Sequence, residues 1–128
     1  MADNLTNTAE NLILDWINGV GTPTRPTTSL KVALLTAAGD DATAGTEVAG
    51  GSYSRKNLTV AAAVAGATTN SADLLWSGMP ACTIVGWEIW DNAGAPVRLW
   101  YGPLDAPKTL AANDEYKIAA GGLSISIS

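Results

Sequence analysis

The sequence predicts a mainly β fold: a single antiparallel β-sandwich, or a flattened barrel, with one N-terminal α-helix. Three observations carry that expectation. Apolar and polar residues alternate in short runs from residue 28 onward. Gly and Pro interrupt those runs at close intervals. Only the first twenty residues show spacings of three and four instead of two. Seven to nine short strands with such punctuation point to packed sheets. A chain of 128 residues fits one domain and can bury roughly two thirds of its unfolded surface without a covalent staple. We expect residues 1–128 to form that one domain, with the helix in 1–20 and the sandwich in 28–128, since no repeat or linker interrupts the chain.

The helix is expected first. Leu5, Ala9, Leu12, Ile13, Trp16, Ile17 and Val20 fall on one face. Asn7 with Glu10 suggests a capping box, with Asn4 as another start. Asn18-Gly19 supplies a left-handed stop, and Pro23 and Pro26 prevent resumption. The apolar face is expected to cover one end of the domain or to lie on a neighbouring subunit.

Thr28 to Ala37 reads as a strand with Leu30, Val32 and Leu34 on one face. Ala33 and Leu35 on the other suggest that neither face is fully wet. Residues 38–46 are a polar loop. Its adjacent Asp40 and Asp41 lack the spaced oxygen ligands and closing Glu of a calcium loop, so a solvated turn is expected. Tyr53 to Ala62 is a second strand, with Leu58 and Val60 opposite Tyr53, Arg55, Asn57 and Thr59. Gly66 marks a turn or bulge, and Ala72 to Trp76 a short strand.

Ala81 to Tyr101 is expected to be a hairpin. Thr83, Val85, Trp87 and Ile89 alternate with Cys82, Ile84, Gly86, Glu88 and Trp90, and Asp91-Asn92-Ala93-Gly94 turns the chain. Gly102, Pro103 and Pro107 should break the returning strand. Lys108 to Ala111 and Glu115 to Ile118 are expected as short strands joined at Asn113-Asp114. Leu123, Ile125 and Ile127 alternate with serines up to Ser128, the pattern of a sheet strand.

Composition excludes several chemistries. Histidine is absent and Cys82 is the only cysteine, so neither a Ser-His-Asp nor a Cys-His arrangement exists within the chain. We expect no catalytic, cofactor-binding or metal-binding residues, and Cys82 reads as a small core residue. Seven basic against twelve acidic residues leave a formal charge of −5. No basic stripe suits phosphates, and no apolar run has the length of a membrane span, so neither nucleic acid nor membrane is an expected partner. No basic segment followed by an apolar run opens the chain, which suggests synthesis in a cytoplasm. Charged residues make up only 15% of the chain, and an undercharged surface rich in small residues suits contact with other protein.

The candidate interface residues are Glu47, Tyr53, Arg55, Glu88, Trp90, Arg98 and Trp100. Arg, Trp and Tyr are enriched among residues that dominate binding energy. Arg55 and Arg98 sit inside strands, where pairing with Glu47 or Glu88 and anchoring an interface are both open. Glu88 lies among Trp87, Trp90, Trp100 and Tyr101. That grouping suits a glycan platform, while a hydrolase would need a second carboxylate that the sequence does not place. The plainer alternative puts Trp87 and Ile89 in the core, with Glu88 and Trp90 toward water or a partner.

The most distinctive stretch is Gly45-Thr46-Glu47-Val48 followed by Gly50-Gly51-Ser52-Tyr53-Ser54-Arg55. It resembles a family of small tailed-bacteriophage virion proteins, commonly labelled tail-fibre proteins. Further matches in the same order are Asn70 to Leu74, Gly86 to Asp91, Leu99 to Gly102 with Leu104, and Lys117 to Ile125. The resemblance covers nearly the whole chain. Trp76, Trp87 and Trp90 depart from it, standing where phenylalanine-like aromatics are expected. Similar small sandwiches serve as head decoration or cement proteins. The resemblance implies a non-enzymatic virion component, and the compact length favours the capsid surface over the tail. On that expectation the partners are the major capsid protein and sister subunits, as a trimer or at quasi-symmetric junctions. The alternative is a tail-fibre or tail-tip component that binds a host glycan.

Overall fold

The computed structural model describes residues 4–127. One helix, α1 (Asn7–Asn18), precedes nine strands. These are β1 (Leu30–Ala37), β2 (Thr46–Glu47), β3 (Lys56–Leu58), β4 (Ala67–Thr69), β5 (Leu74–Trp76), β6 (Cys82–Trp90), β7 (Arg98–Leu110), β8 (Tyr116–Ile118) and β9 (Ser124–Ser126). The expected residues before Asn4, and Ser128 at the end of the last strand, lie outside the described residues.

β2, β1, β6 and β7 lie side by side in that order, and β3 also pairs with β1 to complete a five-stranded sheet. Two ribbons, β4 with β9 and β5 with β8, form separate two-stranded sheets. Every pairing is antiparallel. The main core gathers Val32 and Leu34 of β1 and Ile84, Trp87 and Ile89 of β6 with Leu74, Trp76, Ile118 and Ile125 of the ribbons. The protein is therefore mainly β, with the core held between the large sheet and the ribbons. Among the described residues no sheet closes on itself, so the architecture is open and not a barrel.

The β6–β7 hairpin forms as expected, but β7 does not stop at Pro103. It runs on to Leu110, and the prolines appear as a register shift: Gly86 faces Pro103, whereas Ile84 faces Lys108. The extra residues bulge outward, which is where a strand tolerates proline. This shift also lets Ile84 and Trp87, an odd number of positions apart, both enter the core. A second shift at Leu99 separates the faces of Arg98 and Trp100. Gly102 is required here, because a Cβ would lie 2.4 Å from the Trp87 ring.

Other boundaries move. The expected strand from Tyr53 to Ala62 reduces to Lys56–Leu58, because Gly50 and Gly51 turn the chain with φ of 105° and 55° and Tyr53 N–H bonds back to the Gly50 carbonyl. Val64 and Ala67 exchange backbone hydrogen bonds of 2.9 and 3.0 Å around Ala65 and Gly66, both at positive φ. That is the two-residue hairpin turn whose twist matches paired strands. Lys108 to Leu110 pairs with β6 and Tyr116 to Ile118 with β5, so these two runs belong to different sheets rather than to one hairpin.

The helix is capped by Thr6, one residue before Asn7 and between the two starts expected. Thr6 Oγ1 accepts from Ala9 N–H at 3.2 Å and donates to the Arg98 carbonyl at 2.8 Å. A threonine fixed to a strand in this way can fill one of the amides that helix starts leave unpaired. Gly19 closes the helix with φ 72°, as the Asn-Gly pair implied. Asn4 to Thr6 lie along β7: Leu5 pairs with Trp100, Thr6 N–H donates to the Leu99 carbonyl at 3.0 Å, and Tyr101 N–H donates to the Asn4 carbonyl at 3.0 Å. Leu5, Ala9 and Leu99 form a second small core. Farther along, Leu14, Trp16 and Ile17 of the helix and Val20 just beyond it are exposed among the described residues.

Candidate functional site

Strand alternation turns Ala33, Leu35, Glu88, Trp90 and Tyr101 away from the core, and there a polar network forms. Glu88 is 1% exposed, not half-solvated as alternation suggests. Its Oε2 accepts from Gly45 N–H at 2.9 Å and from Arg98 Nη1 at 3.4 Å, while Oε1 accepts from Trp90 Nε1 at 3.3 Å. Arg98 Nη2 donates to the Asp40 carbonyl at 2.6 Å. The guanidinium also stands 5.6 Å from the Tyr101 ring centroid. Tyr101 in turn hydrogen-bonds Asp41. The 38–46 loop therefore folds over the sheet, and its carbonyl and amide groups complete a buried ion pair.

Glu47, Tyr53 and Arg55 form the adjoining half. Arg55 Nη2 donates to Glu47 Oε1 at 2.8 Å and Nε to Oε2 at 3.0 Å, the paired geometry that a planar guanidinium favours. Tyr53 Oη donates to Glu47 Oε2 at 2.5 Å and accepts from Leu34 N–H at 3.0 Å. Arg55 joins the two halves by lying 4.4 Å from the Trp90 ring centroid, within cation–π range. Burial works to raise the Glu47 carboxyl, but hydrogen bonds from Arg55 and Tyr53 outweigh it and hold the pKa below the usual value. Burial and the Glu47 contact together push the Tyr53 phenol well up. The hydrogen bond to Asp41, with some burial, raises Tyr101 to about 12.

Six of the seven candidate interface residues thus belong to one network: Glu47, Tyr53, Arg55, Glu88, Trp90 and Arg98. Trp100 does not. It packs between the two cores beside Leu5 and Leu99. Trp87 is buried in the main core, while Trp90 and Tyr101 sit on the other side of the sheet, so the four rings expected as one glycan platform are split between two faces. Asp91 accepts from the amides of Val97 at 2.9 Å, Ala93 at 3.3 Å and Thr27 at 3.3 Å. Those bonds, Val97 first, hold its carboxyl below the usual range despite some desolvation. Sequence reading did not single out Gly45, Asp41, Asp91 or Tyr101 as parts of a network. The Asp91-Asn92-Ala93-Gly94 turn was a signal for Asp91, whereas nothing local ties Asp41 to Tyr101.

The chemistry of this cluster is that of a strut. Each buried charge is matched, and the buried side-chain polar atoms of the described residues all have hydrogen-bond partners. Asp40 Oδ1 accepts from the amides of Ala42 and Thr43, so of the adjacent aspartates Asp40 serves the turn and Asp41 meets Tyr101. A hollow of about 350 Å³ lies elsewhere, beside Trp87, Leu104, Asp105, Tyr116 and Lys117. It holds a single carboxylate, short of the pair that glycoside hydrolysis uses.

Residues 4–126 match the family described as Podophage GP4 fiber I protein gp80. The chain belongs to that family. No curated protein matches it. Membership of the fiber I gp80 family makes this a phage virion structural protein, as the Gly45–Arg55 resemblance implied. The gp80 match runs from the Asn4–Thr6 segment through β9, so the helix, the network and both ribbons lie inside it.

Proposed function

We propose that the chain is a non-enzymatic building block of a phage fibre that works alongside sister copies and is held by protein contacts. The family match over residues 4–126 carries this reading. The internally satisfied network supports it, since a subunit under load benefits from a loop fixed to its sheet. Gold-labelled antibody on intact particles tests it: label along the fibres is expected, and label confined to the head overturns it.

A second reading is a capsid decoration protein seated on the major capsid protein. The absence of any extended shaft among the described residues favours it. Labelled chain that adds to purified capsids and never to tails is its signature. Host glycan binding through the fibre reading would rest on Trp90 and Tyr101, the two platform rings on the network face, with Arg55 over Trp90 and Arg98 over Tyr101. Unchanged adsorption of particles carrying Trp90→Ala together with Tyr101→Ala would remove that role.

A further inference from the structure

The N-terminal arm, residues 4–18, and the 38–46 loop share their anchors on β7. Arg98 donates from Nη2 to the Asp40 carbonyl of the loop at 2.6 Å, while its own carbonyl accepts from Thr6 Oγ1 of the arm at 2.8 Å. Tyr101 bonds the Asp41 carboxylate through its phenol, while its amide donates to the Asn4 carbonyl at 3.0 Å. Asp41 also faces both ways, since its carbonyl accepts from Asn7 N–H, the first amide of α1, at 3.1 Å.

We infer that the loop is the catch of this arm: residues 4–18 open from the body as one piece, and the seat of the loop on the sheet sets how often they do. Local opening costs least where buried apolar contacts are few. Among the described residues none of the arm belongs to the main core, and of the twelve residues of α1 only Ala9 is buried. The connector, residues 19–26, is exposed except for the half-buried Pro23 and Pro26. It faces the helix across a cleft of about 400 Å³ instead of packing against it. The chain is fixed again at Thr27, whose amide donates to Asp91 and whose carbonyl accepts from Asn92 N–H. A hinge therefore separates the arm from β1, and β1 stays in place when the arm moves. When the loop is displaced, the Asn7 amide and the Tyr101 phenol lose their partners together. Arg98 loses the Asp40 carbonyl at the same time, beside the backbone to which Thr6 is bonded. Opening uncovers the stretch of the β7 edge at Leu99 and Tyr101, a strand edge that is otherwise paired. None of this depends on which part of the particle carries the chain.

Native-state hydrogen exchange on the full chain, read amide by amide by NMR, tests this. Asp40→Ala removes the bonds from Ala42 and Thr43 that shape the loop and replaces no group that the arm bonds. Exchange at Thr6, Asn7, Ala9 and Tyr101 is expected to quicken together by about tenfold, with β6 unchanged. Asp114→Ala removes a similar turn carboxylate, which accepts from Ala111 N–H at 2.8 Å, in a turn bonded to Met79. It is expected to leave those four amides at the wild-type rate. Coupling is reciprocal, so Thr6→Ala is expected to quicken the Gly45 amide that donates to Glu88, although the Thr6 side chain bonds Arg98 and Ala9 and not the loop. Should Asp40→Ala fail to fold, the Gly45 measurement in Thr6→Ala decides alone. Quickening confined to Asn7 overturns the inference, as do unchanged arm amides, equal quickening in β6, or an unchanged Gly45 amide in Thr6→Ala.

Discussion

Arg98 Nη1 lies 3.4 Å from Glu88 Oε2 on the neighbouring strand, with the two side chains only 8% and 2% exposed. A buried ion pair is no net gain over apolar packing, since both charges lose their water. Its value depends on the added bonds from Gly45, Trp90 and the Asp40 carbonyl. The pair thus fixes where the 38–46 loop sits.

Removing one partner should cost more than the pair itself is worth. Glu88→Ala leaves Arg98 buried and unmatched, a loss of about 3–5 kcal/mol in urea unfolding. The double change Glu88→Leu with Arg98→Met should recover most of that loss. A single-variant loss below about 1 kcal/mol would show the guanidinium reaching water.

Stability should fall at both pH extremes through Glu47 and Tyr53. The folded Glu47 carboxyl titrates below its ordinary 4.5, so its contribution is complete above that value and disappears as pH falls through the folded pKa. The folded Tyr53 phenol titrates above its ordinary 10.0, so its contribution is complete below that value and fades as pH rises beyond it. Thermal melts between pH 5 and 3 should show a smaller drop for Glu47→Gln than for wild type. Melts above pH 10 should do the same for Tyr53→Phe. Parallel curves for variant and wild type would contradict the assignment.

Gly102→Ala should be among the most damaging small substitutions. Its Cβ would meet the Trp87 ring, held between the sheet and the ribbons, so the indole must shift. A loss of about 1–3 kcal/mol is expected from such overpacking. A near-UV circular dichroism change should accompany it, and an unchanged spectrum with full stability would mean the ring yields freely.

Thr6→Ala should loosen α1 selectively. The cap alone accounts for about 1 kcal/mol, and the bond to the Arg98 carbonyl goes with it. Hydrogen exchange should quicken at Ala9 and through the helix while β6 stays protected. Thr6→Ser should restore most of the protection. Uniform quickening across the sheet would place the helix within the global folding unit instead.

Much of this fold was legible because local patterns carried it. Alternation placed Leu30, Val32 and Leu34 in the core, and Asn18-Gly19 ended the helix. Both ion pairs considered for the arginines form, Arg98 with Glu88 across paired strands and Arg55 with Glu47 from just before β3, outside the strand expected to hold it. Trp100 was harder, because the irregularity at Leu99 changes which face each later side chain takes. Glu88 read as half-exposed because the loop that covers it arrives from more than forty residues away. The partners of β5 and β8 were hidden for another reason: each strand has three residues, too few for a pattern to name its neighbour.

The Asn4–Thr6 segment along β7 has a consequence for any protein displayed in many copies. A bare strand edge offers amides and carbonyls that pair with almost any extended chain. Here Leu5 and its neighbours occupy the first part of that edge, where the backbone groups of Leu99 and Tyr101 are already spoken for, and Pro103 and Pro107 remove donors farther along. For a chain displayed in that way, contacts along this stretch would fall to side chains, whose shapes discriminate, instead of to indiscriminate strand-to-strand pairing.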